Sequence, residues 1–341
     1  EEAGRFHGEV RHVQLQAFDP VRPEHGIGQV SGAGKFDPFK GEWEWTLKPS
    51  RLEHAILAPL VNRTNWLGSA ALQSGTISNP KPLQLHWNAN GDIVVSGPMH
   101  IANARVEDPK GQLPKDILGA QLELDLASTQ HPVGRSWKAR SQANKAVFTL
   151  VNQPAGTVEW SGEYSATNGV GQLAFDVVDV DHRVFQLVPE SWRGRVDLKS
   201  GQINKLRGQC RIRDGVVQFE TSADLKRVWL KEPFRLWPEG PLDLVQSLQG
   251  SWKPGPKLNL TVERNQGTVK QGDTVLGVYD LNGRMVDAGL ELDVKSLDLG
   301  PAFTRRVLDR WLPGQPVAAG RLQMNELKVS LPQQGVGAVN G

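Results

Sequence analysis

Between Gly171 and Ile203 the chain alternates apolar and polar residues, pauses, and alternates again. Leu173, Phe175 and Val177 fall on one side of Gln172–Asp181, which is the two-residue period of a half-buried strand. The pause, from His182 to Trp192, has room for about two helical turns. After Gly194 the alternation resumes through Val196, Leu198 and Ile203. This period of two commits the segments to a sheet with unlike faces, and the pause places a short helix between two strands.

The same order recurs. Gly68, Ala70, Leu72, Ser74, Gly75 and Ile77 lie 126 positions before Gly194, Val196, Leu198, Ser200, Gly201 and Ile203, and Trp66 keeps that offset from Trp192. Another 126 positions lead to Gly320, Leu322, Met324 and Val329, with Glu326-Leu327 in place of the Ser-Gly pair. Phe175 and Asp179 recur as Val294 and Asp298 at an offset of 119. The period is longer than that of common solenoids. It predicts one continuous repeat-built β domain over 1–341, with units near 43–172, 173–289 and a partial 290–341.

Elsewhere, Trp43, Trp45 and Leu47 share a phase, as do Leu83, Leu85 and Trp87. Leu290, Leu292 and Val294 repeat the pattern near the C-terminal end. Short strands are expected at 83–87, 93–95 and 101–106, and hairpin turns at Asn90-Gly91, Asn168-Gly169 and Asp214-Gly215. A helix is predicted over 50–66, with Ser50 as its cap and Glu53 completing a capping box. Asp179 and Asp181 are expected to cap and charge the next helix.

The composition carries little chemistry. Lys plus Arg number 39 against 37 for Asp plus Glu, a mixed balance that gives no dedicated nucleic-acid surface. Cys210 is the single cysteine, so no intrachain disulfide can form. The eight histidines (7, 12, 25, 54, 86, 100, 131 and 182) show no ligand spacing on a helix, and no metal or other cofactor is expected. No nucleophile elbow or phosphate-cradling loop occurs. Glu123, Asp125, Glu291 and Asp293 stand at polar alternation positions and read as a solvated face. Eleven Trp against two Tyr is unusual, and the phase of Trp43, Trp45 and Trp87 puts those rings on the apolar side.

The run Leu290-Glu-Leu-Asp-Val-Lys-Ser-Leu-Asp-Leu299, a short helix ending at Trp311-Leu-Pro, and Ala319-Gly-Arg-Leu-Gln-Met-Asn-Glu-Leu-Lys-Val329 resemble the AsmA-like family of bacterial envelope proteins (TamB/YhdP-like). Leu173–Ile203 has the same order, and Trp43–Ile77 has it more loosely. The first copy lacks the Asp-Leu dipeptide before its helix.

The resemblance implies a mainly β fold: a long twisted antiparallel sheet forming a groove or elongated open barrel, with short helices inserted at intervals. It also implies bridge-like lipid transfer in the periplasm, with a phospholipid or other acyl lipid as partner. Membrane attachment would come through regions outside this segment, by an N-terminal inner-membrane anchor. No enzymatic activity and no nucleic-acid partner are expected. The groove candidates are then Trp43, Trp45, Leu47, Leu173, Phe175, Val177, Val196, Leu198, Leu290, Leu292 and Val294. A packed β-sandwich acting as a binding or adhesion module, with carbohydrate as a candidate ligand, fits the alternation too. So does a β-rich hydrolase whose acids meet only through the fold.

Overall fold

The computed structural model describes residues 8–18, 24, 26–37, 40–56, 58, 71–88, 92–107, 118–130, 137–166, 168–185, 198–230, 240–253, 259–286, 289–305, 320–332 and 338–340. Nearly all of them are strand, and every recorded pairing is antiparallel. The described residues up to Gly171, with 183–185, form one compact unit; those of 172–182 and from 198 on form another.

In the first unit the strands are β1 (Gly8–Phe18), β2 (Gly26–Asp37), β3 (Glu42–Leu47), β4 (Ser50–Glu53), β5 (Ala71–Asn79), β6 (Leu83–Trp87), β7 (Ile93–Glu107), β8 (Leu118–Gln130), β9 (Trp137–Leu150) and β10 (Gln153–Ser165). They make a meander in which β3 and β4 act as one broken strand, pairing with β2 on one side and with β6 and β5 on the other. The breaks fall at Pro49 and at Pro80-Lys81-Pro82, because proline cannot donate to the ladder.

Asn79 closes the gap between these breaks. Its amide nitrogen donates to the carbonyls of Leu47 (3.2 Å), Lys48 (2.9 Å) and Lys81 (3.1 Å), and its oxygen accepts from Ser50 N (3.0 Å). Asn144, fully buried on β9, does similar work at a bulge against β8, accepting from Asp125 N at 2.8 Å. Side-chain amides thus replace ladder bonds where the strands kink, which keeps buried backbone groups paired.

The second unit holds β11 (Val170–Asp181, from Gln172 on), β12 (Leu198–Arg213), β13 (Val216–Leu230), β14 (Leu242–Trp252), β15 (Asn259–Gln271), β16 (Thr274–Val286), β17 (Gly289–Leu299), β18 (Leu322–Pro332) and β19 (Ala338–Asn340). From β12 to β19 each strand pairs with the next. Asp214 and Gly215 both take positive φ in the two-residue turn joining β12 to β13, as the sequence predicts.

Short helical segments follow three strands: α1 (residues 54–56), α2 (His182–Phe185) and α3 (residues 301–305). They start 128 and 119 positions apart, close to the sequence repeat. The backbone repeats too. Ser74 Oγ donates to Asn103 O (3.0 Å), and Ser200 Oγ donates to Arg227 O (3.2 Å). In both copies the following glycine and the carbonyl-bearing residue have positive φ: Gly75 with Asn103, and Gly201 with Arg227. In the third copy the positive φ falls on Glu326, which stands where the other two have serine.

Three local expectations are corrected. Ser50–Glu53 is strand, not the start of a helix: pairing with Ser78 and Asn79 outweighs the capping box, and Ser50 Oγ accepts from Ser31 N instead. Residues 93–107 form one strand through Gly97-Pro98, not two short ones. Asp179 sits at a positive-φ position and accepts from Gln202 Nε2 at 3.2 Å, so it does not cap α2. Trp66, Trp192, Gly194, Trp311 and Asn90-Gly91 lie outside the described residues.

Candidate functional site: the apolar sheet faces

Cross-strand partners share a face, so register sorts the side chains. In the second unit, Val217, Phe219, Leu225 and Val228 on β13 face the same way as Trp252, Gly250, Leu244 and Leu242 on β14. The row continues through Leu260, Val262 and Val269 on β15 to Met285, Leu281 and Tyr279 on β16. It then reaches Leu290, Leu292, Val294 and Leu297 on β17, and Val329, Leu327 and Met324 on β18.

The opposite face carries the charges. Arg207 pairs with Asp176 at 2.6 Å, and Lys226 lies 3.3 Å from Asp224 and 3.4 Å from Asp243. The hydrogen bond that Lys226 donates to Asp224 leads the contacts that hold its ammonium above the ordinary range. Two open depressions, of about 630 and 440 Å³, are also on this polar face; hydroxyls and amides such as Ser222, Ser247, Thr268 and Gln266 line the larger.

Exposure on the apolar face changes along the strands. At one end Leu242, Val269 and Leu276 are buried, with Ala302 and Phe303 of α3 packed against them. The helix is pinned there: Gly300 N donates to Leu276 O at 2.7 Å, and the single O–H of Thr304 lies within reach of the carbonyls of Gly300 and Gly320. At the other end Trp252 and Met285 are 43% and 44% exposed. Between them Leu244, Leu248, Leu281 and Leu292 are only half-buried, although Val294 opposite Leu281 is buried. A closed sandwich core would bury this middle row.

Aromatic rings lie across glycines of adjacent strands on these faces. A Cβ on Gly250 would strike Phe219, one on Gly267 would strike Tyr279, one on Gly208 would strike Phe175, and one on Gly34 would strike Trp45. The rings cover backbone that glycine leaves bare, as in aromatic rescue of sheet glycines.

The predicted residues fall as follows. In the first unit Trp43, Trp45 and Leu47 pair directly with Trp87, Leu85 and Leu83, all on one face. Trp43 stacks on Phe36 with ring centroids 4.0 Å apart, and Trp87 is 56% exposed. In the second unit Phe175 is on the apolar face over Gly208, and Val177 is half-buried while Leu173 is exposed. Leu198 pairs with Leu230. Leu290 and Leu292 are half-buried and Val294 is buried. Val196 lies outside the described residues.

The β13–β16 residues of this face lie outside the repeats that mark the sequence candidates, although Leu242, Leu244 and Leu248 carry the same alternation. Cys210, opposite Phe219, joins this face, and burial pushes its thiol up.

Among the described residues no group of His, Cys, Asp and Glu could hold a metal ion, and no helix is long and apolar enough to cross a membrane. The chain matches no protein-family model, no curated protein and no solved structure.

Proposed function

We propose that this chain is a non-enzymatic lipid-handling segment of a bacterial cell-envelope protein, AsmA-like in kind and periplasmic. Its apolar sheet faces shelter acyl chains while the ionic face stays in water. One observation carries this reading: the apolar face of the second unit is packed shut by α3 at Leu242 and half-open from Leu244 to Trp252. An acyl chain laid on that face removes apolar surface on both sides, at roughly 0.8 kcal/mol per fully buried methylene. No nucleophile is required.

The test is mass spectrometry of lipids that co-purify with the chain after gentle extraction. Stoichiometric acyl lipid supports the reading; an empty protein that also fails to take up lipid from vesicles refutes it. A second reading rests on the polar depression of about 630 Å³, whose hydroxyls, amides and carboxylates suit a carbohydrate. A glycan array separates the two, since the lipid reading predicts no hits.

A further inference from the structure

One cluster interrupts the apolar face of the second unit. Gln246 on β14 and Asn265 on β15 stand on that face by register, beside Gly267 and Leu248. Gln246 Nε2 donates to Asn265 Oδ1 at 2.8 Å. The phenol of Tyr279 lies over Gly267, which pairs with Gln246 on its other side, so the hydroxyl and the amide pair share one stretch of this face. Burial keeps the Tyr279 phenol above its ordinary range, so it stays a neutral donor.

Polar groups on an apolar face are costly unless they are matched. The amides match each other once, and no other hydrogen bond reaches either of them among the described residues. Asn265 keeps both of its N–H groups, Gln246 keeps one, and Tyr279 keeps its O–H, so four donors stay free for a ligand. The ion pairs stand on the other face of the sheet. A neutral, donor-rich spot in an apolar surface complements an uncharged carbonyl, not a phosphate or carboxylate.

We infer that Gln246, Asn265 and Tyr279 form a hydrogen-bonding station for the ester carbonyl of an acyl lipid, which fixes where along the face the lipid's linkage lies. This rests on the lipid-handling reading. The strand midpoint suits it: half-buried Leu244 offers apolar surface on one side, and Leu248 and Trp252 offer it on the other.

The test is competition between methyl hexadecanoate and heptadecane for the full chain, with bound species quantified after gel filtration. The ester-to-alkane ratio is compared between the wild type, the double variant Gln246→Leu/Asn265→Leu, and Tyr279→Phe. The wild type should show a ratio about fivefold above the double variant, in keeping with one neutral hydrogen bond. Tyr279→Phe, which keeps the ring over Gly267 and loses only the hydroxyl, should fall between them. Equal ratios in all three chains would overturn the station while leaving lipid handling intact, and would reduce the amide pair to a strand-pairing contact. Binding of neither ligand by the wild type would overturn both.

Discussion

Leu242 and Trp252 stand on one face at the two ends of β14, with exposures of 0% and 43%. The same kind of side chain is core at one end and open surface at the other, because α3 covers only the first. Leu242→Ala should therefore cost about 3 kcal/mol in urea unfolding, as large-to-small changes in packed sites do. Trp252→Ala should cost under about 1 kcal/mol without lipid. Equal losses would mean that the Trp252 end is packed as well.

The paired Ser-Gly corners predict matched effects in the two repeats. Gly75 and Gly201 have φ of 138° and 147°, with the backbone of Ala104 and Val228 close to where a Cβ would go. Alanine at either position should destabilise by about 1–3 kcal/mol through backbone strain. Thermal melts of the two variants should agree closely; a neutral result for one would separate the corners.

Asn79 is the side chain on which the broken strands of the first unit depend most. Asn79→Ala leaves three carbonyls without their donor and should cost about 1–3 kcal/mol. Asn79→Asp should be no better, since it keeps the acceptor for Ser50 and turns a carboxylate towards those carbonyls. Hydrogen exchange at the Ser50 amide should quicken in Asn79→Ala and stay slow in Asn79→Asp if the acceptor role is as described.

How much of this was legible in the sequence follows from how local each signal is. The two-residue period of Leu173, Phe175 and Val177 is a property of adjacent residues, so the strands and the phase of Trp43 and Trp45 could be read directly. So could the Asp214-Gly215 turn, whose conformation the dipeptide itself demands. Ser50–Glu53 misled because its capping pattern is local, while the competing partner, Asn79, arrives from beyond the helix. The pairing of Tyr279 with Gly267, and of Phe219 with Gly250, depends on register across strands, which no single segment encodes. The Gln246–Asn265 contact was hidden for the same reason.

The Asp298–Arg321 ion pair on β17 and β18 carries a pH dependence. Arg321 Nε lies 2.6 Å from Asp298 Oδ1, and hydrogen bonding from Arg321 holds the Asp298 carboxyl below its ordinary value near 3.8. A depressed folded pKa contributes stability above the unfolded pKa and loses it as pH falls through the folded value. NMR titration should therefore show Asp298 ionised from neutral pH down past the usual carboxylate midpoint, and Arg321→Gln should move it back up towards that midpoint. This pair gives no reason for stability to change between pH 5 and 8.

Cys210 offers the most direct test of an acyl chain on the apolar face. It is the single cysteine, half-buried opposite Phe219, so one thiol reports on one place without mutation. The measurement is its rate of reaction with N-ethylmaleimide, before and after loading with a diacyl phospholipid, with glycerophosphocholine as the chain-free control. Several-fold slowing is expected with the lipid and none with the control. An unchanged rate in a chain that demonstrably carries lipid would contradict it, since the lipid would then lie elsewhere.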